Sequence, residues 1–151
     1  VGVEWVADLD ATESDAAELG RRAVDALVAR NVPEPSPDAA LGGYGYPAGP
    51  AWADTVERSV SGERPWGVEV RIGRELHSGE RTGVNSVTCP RCSTLRTCGA
   101  AAPVAEWYAD GAALACLGFV FWSWDELRAE VPRRIADVTG GHRVANGGGT
   151  F

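Results

Sequence analysis

A chain of 151 residues has room for one domain with a true core and a small insertion. Its net charge of −7 disfavours attraction to phosphate backbones, which argues against a general nucleic-acid binder and for a protein partner. No apolar run approaches the ~20 residues of a membrane-spanning helix and no basic stretch with an apolar follower opens the chain, so the expectation is a soluble, cytoplasmic protein without a membrane partner. All fourteen basic residues are arginine, and Lys, Met and Gln are absent, the usage of a GC-rich bacterial genome. Without an export signal, four cysteines point to thiolates held by metal more than to disulfides.

The opening VGVEWVADL alternates, placing Val1, Val3, Trp5, Ala7 and Leu9 on one side and Glu4 and Asp8 on the other. Period two predicts a half-buried strand over residues 1–9, with the carboxylates on its open face. From Ser14 to Arg30 the period becomes helical, with Leu19, Ala23 and Leu27 in a stripe, a start at Thr12 or Ser14 and a stop at Asn31 and Pro33. PEPSPDAALGGYGYPAGP, residues 33–50, reads as a loop long enough to suspect a task. Trp52, Val56 and Val60 then suggest a short helix over 51–60. Alternation returns in WGVEVRIGREL and predicts a strand over 66–76; His77, just beyond it, shares the parity of Glu69 and Glu75 and reads as exposed more than as a metal ligand. GAALACLGFVFW is apolar at both parities and predicts a strand over 114–122 covered on both faces. Ser123 to Glu126 has the spacing of a capping box and predicts a helix that begins there, carries Leu127, Val131, Ile135 and Val138, and is kinked or divided at Pro132. On that reading Asp125 and Glu126 serve the helix start. A short strand over 142–146 and a glycine tail follow, and His142 carries no signal of its own.

This order resembles the ferredoxin-like βαββαβ unit. The expected class is α+β: a single domain over 1–151 with a four-stranded antiparallel sheet, two helices on one face, and a zinc-ribbon-like insertion over 84–116. Helices cover one face only, yet the third strand is apolar on both. The insertion or a partner chain is therefore expected against the other face.

Cys89-Pro90-Arg91-Cys92 is a tight turn in which two thiolates converge on one ion, half of a tetrahedral zinc site. Cys98 and Cys116 each stand alone, so the second turn is missing. Three readings stay open: one zinc held by Cys89, Cys92, Cys98 and Cys116; a zinc held by Cys89, Cys92, Cys116 and a ligand outside the sequence; or a redox pair or inert thiols. For the redox reading, Cys89 and Cys92 resemble a glutaredoxin site, but STLRTCG lacks the apolar stripe of a supporting helix.

The CPxC turn, the WY…GAALxC segment and the LGFxFWxW strand together resemble uncharacterised actinobacterial proteins with a CPxC zinc-ribbon insert in a ferredoxin-like domain. The resemblance implies a second CPxC and a short loop after the segment matching Leu114-Ala115-Cys116. Here Leu117 follows directly. The numbering would then bridge a loop left out of the chain, with Cys116 and Leu117 much farther apart than the ~3.8 Å of one trans peptide.

Gly118 to Phe121 also resembles the aromatic motif of RNA-recognition domains, which stack bases on an open sheet face. Leu117 replaces the motif's basic residue, and Glu4 and Asp8 would repel phosphates. With no Ser/His/Asp set, phosphate loop or paired acids, no catalytic residue is assigned. The leading expectation is a non-enzymatic, zinc-stabilised interaction module of adaptor or immunity type that docks through the sheet or the GGYGYPAGP loop, against a thiol oxidoreductase and an RNA binder.

Overall fold

A computed structural model describes residues 2–36, 45–60, 62–78, 108–109 and 112–150. Strand β1 (Gly2–Asp8), helix α1 (Ala16–Val28), strand β2 (Gly45–Pro47), strand β3 (Gly67–Ser78), strand β4 (Tyr108–Ala109), strand β5 (Ala112–Trp122), helix α2 (Glu130–Val138) and strand β6 (Val144–Thr150) follow in that order. The protein is α+β, and its sheet runs β2-β3-β5-β1-β6 with every neighbouring pair antiparallel. The sheet path thus has five strands where four were expected, and β4 adds a short pairing to β5. The fifth comes out of the Pro/Gly-rich stretch: Gly45, Tyr46 and Pro47 pair with Glu69, Val68 and Gly67. Pro47 is tolerated because β2 is an edge strand.

Helix α1 forms where its periodicity predicts, burying Ala16, Leu19, Ala23, Val24 and Leu27. Asn31 ends it in the left-handed conformation (φ 60), while the Val32 N–H returns to the Leu27 carbonyl. With α2 it closes one face of the sheet over Val6, Val68, Leu117, Phe119 and Phe121. Trp124 completes this core, edge-on to Phe121 at 5.2 Å, its indole N–H donating to Thr55 Oγ1 at 2.9 Å.

Several expectations change. Val6 faces the helices, so the even-numbered residues of β1 point into the main core and Trp5 and Ala7 point to the opposite face, the reverse of the expected sides. Asp8 is fully buried, accepting the N–H groups of Asp10 and Ala11 at 2.9 Å and facing His142 Nδ1 at 2.9 Å. His142 therefore has a structural partner.

Helix α2 starts at Glu130, seven residues after Ser123, because Ser123 turns the chain at φ 62 and residues 124–128 run extended against 55–60. There Leu127 bridges Val56, and the Arg128 N–H donates to the Thr55 carbonyl at 2.8 Å. Pro132 consequently sits in the first turn of α2, where its missing amide has no partner to lose, and no division of the helix follows. The helix expected over 51–60 shrinks to a single 3₁₀ turn at Trp52–Thr55. The glycine tail is part of β6 and pairs with β1 throughout, Gly149 with Val3 and Gly147 with Trp5.

On the far face, β3 and β5 behave as one bent ribbon. Pairing runs from Gly67↔Trp122 to Ile72↔Leu117, slips, and resumes at Glu75↔Ala115. Gly73 occupies the slip at φ 111, a bulge that bends the strand and that a side chain would strain. Beyond it the ribbon turns across the sheet: Ala113 and Ala115 pack on Trp5 and Ala7, and β3 approaches β6 although β5 and β1 lie between. His77, expected exposed, is instead 2 % exposed beneath this ribbon. Part of the covering predicted for the far face is thus supplied by the strands themselves.

Candidate functional site

Strand β5 runs unbroken from Ala112 to Trp122, so Cys116 and Leu117 are consecutive strand residues and no loop leaves between them. The last residues of the expected 84–116 insertion are likewise strand. Cys116 is buried opposite the bulge, and its thiol is pushed up in pKa by burial, then by the nearby Glu13 carboxylate, with Asp15 adding to it and Arg74 opposing. Such a sulfur stays a neutral thiol until a metal or base takes its proton. Cys89, Cys92 and Cys98 lie outside the described residues. Among the described residues no three His, Cys, Asp or Glu side chains come together to hold a metal ion.

The RNA-type surface also changes. Phe119 and Phe121 are fully buried against the helices, so neither presents a ring to a base.

Among the described residues, a groove of about 720 Å³ opens where β1 and β6 meet the 123–127 segment. Gly2 and Glu4 of β1, Asn146 and Gly147–Gly149 of β6, and Ser123–Leu127 border it, together with Val60 and Glu63. The glycines make its wall thin: a Cβ on Gly148 would collide with the Glu4 carboxylate, which lies across that strand. The left-handed turn at Ser123 aims the following residues along the rim, and Asp125 Oδ2 is fixed there by the Val60 N–H at 3.0 Å.

Four carboxylates, Glu4, Glu63, Asp125 and Glu126, therefore line one groove. Glu4 carries the electrostatic cost. Its pKa is raised to about 7, first by burial and then by repulsion from Glu126 and Asp125. It is thus poised between acid and carboxylate near neutrality. The sequence showed these acids but gave them other jobs, an open strand face for Glu4 and a helix cap for Asp125 and Glu126. Only the pairing of β1 with β6 and the late start of α2 bring them together.

Comparison with protein-family models found no match, and searches of curated proteins and of solved structures likewise returned none. The groove must be read from its own chemistry.

Proposed function

We propose that this chain is a non-enzymatic protein-interaction module of ferredoxin-like topology, whose acidic groove receives an arginine or lysine side chain from a basic segment of a partner. The carrying observation is Glu4, half-buried among like charges so that its pKa reaches about 7. A cation entering the groove relieves that repulsion and favours the ionised carboxylate, so binding expels a proton. The net charge of −7 adds a long-range pull on basic partners. The strand order β6-β1-β5-β3, with α1 and α2 as crossovers on one face, supports the ferredoxin-like reading. Zinc on Cys89, Cys92, Cys98 and Cys116 remains part of the proposal, resting on the Cys-Pro-Arg-Cys turn and checked by metal analysis of the purified chain.

The test is calorimetry with a short arginine-rich peptide at pH 7 in two buffers of different ionisation enthalpy. Binding should weaken with salt and release about half a proton, the fraction held by a group titrating near that pH. Glu4→Gln should bind without the release. Absence of binding, or equal proton release from Glu4→Gln, contradicts the proposal.

A further inference from the structure

On the face away from the groove, the bent end of the β3–β5 ribbon rests on the sheet through one histidine. The His77 ring occupies the space a Cβ on Gly118 would need and faces Trp5 with centroids 6.5 Å apart. Both rings are 2 % exposed. Among the described residues, neither nitrogen of His77 nor the Trp5 indole N–H has a hydrogen-bond partner. A buried, unsatisfied imidazole weakens the packing it belongs to. The bulge at Gly73, where a Cβ would meet nothing within 4 Å, supplies a hinge between this ribbon end and the rest of the sheet.

We propose that residues 75–78 and 112–115 form an acid-opened flap, with His77 as its catch: protonation draws the imidazole out of its slot and uncovers Trp5 and Ala7. Among the described residues the slot offers an imidazolium no carboxylate. Strand β1 faces it with Trp5 and Ala7, β5 with Ala113, Ala115 and Gly118, and β6 closes on Trp5 through Gly147. On β3, Arg71 repels the imidazolium, and Glu75, the nearest acid along the strand, is paired with Arg71 at 3.2 Å.

Burial and then Arg71 lower the closed-state pKa from 6.5 to about 4. A base whose pKa is depressed when packed contributes its full stability above the free value, loses it as pH falls from about 6.5, and has none left below about 4. The closed flap is therefore favoured at neutral pH, and the span moves the opening equilibrium by about two orders of magnitude. This inference is independent of the groove, whose four carboxylates take no part in it; the two sites share only Gly147 of β6.

Binding of an apolar-surface dye followed from pH 7 to pH 4, with far-ultraviolet dichroism alongside, tests it. The native chain should gain dye fluorescence several-fold across that range with its dichroism unchanged. His77→Leu should stay dark, and Gly118→Ala, whose methyl displaces the ring, should bind dye already at pH 7. A second readout needs no variant: the Trp5 indole proton resonance should follow the titration of one of the two histidines, below its ordinary range. No gain of dye, the same gain in His77→Leu, loss of dichroism together with the gain, or a Trp5 resonance indifferent to both histidines would each overturn the flap.

Discussion

The two faces of the sheet are sealed by different means. Toward the helices, Val6, Val68, Leu117, Phe119, Phe121 and Trp124 interlock with the stripes of α1 and α2, and the one polar atom of Trp124 has its partner. Toward the ribbon, among the described residues, Trp5 packs against alanines, Leu9 and an unsatisfied histidine. Apolar contact stabilises in proportion to the surface removed from water, so the helix side holds the fold together and the ribbon side is the weaker seal. A strand apolar at both parities needs cover on both faces. It does not need equal cover.

The largest expected effect lies on the helix side. Phe121→Ala should cost about 3–5 kcal/mol in urea unfolding, since it removes a fully buried ring that braces Trp124. His77→Ala should cost far less, because the packing it loses is offset by removing two buried nitrogens without partners. Comparable losses for the two variants would break the contrast between the faces.

A smaller effect sharpens it from the groove. The Glu4 pKa is raised on folding, so the folded chain holds a proton there that the unfolded chain releases above about 4.5; stability from this site is full below that value and is lost as pH rises through about 7. Glu4→Gln removes the penalty. At pH 8 the variant should be more stable than the native chain by about 1 kcal/mol, after discounting for the open, solvated side of the groove, with the difference reduced about fourfold at pH 5. The check is paired urea titrations at the two pH values. A groove that costs stability at working pH is the pattern expected of a binding surface.

Much of this was legible beforehand. Helix α1 and the long strands follow directly from period, because Leu19, Ala23 and Leu27 and the run around Phe119 each admit one good burial. The side of β1 was not legible: Trp5 and Val6 are both apolar, and which one meets the helices depends on its register with β5. The capping spacing at Ser123 was overruled by pairing of 124–128 with the 55–60 segment, a contact between residues some 70 apart that local spacing cannot contain. The groove was hidden for the same reason, since Glu4 and Asp125 meet only once both events have happened. His77 looked exposed because parity assumes a flat strand, and the bulge at Gly73 bends it. The zinc reading is unchanged by the fold, as three of its four cysteines lie outside the described residues.

Residue-resolved hydrogen exchange at pH 7 tests the unequal seal most directly. The amides of residues 117–121 that pair with β1 should exchange only through global unfolding, with the full denaturant dependence, whereas protected amides at 75–77 and 113–115 should open at lower free energy with little denaturant dependence. Equal protection and equal denaturant dependence in the two sets would contradict the account.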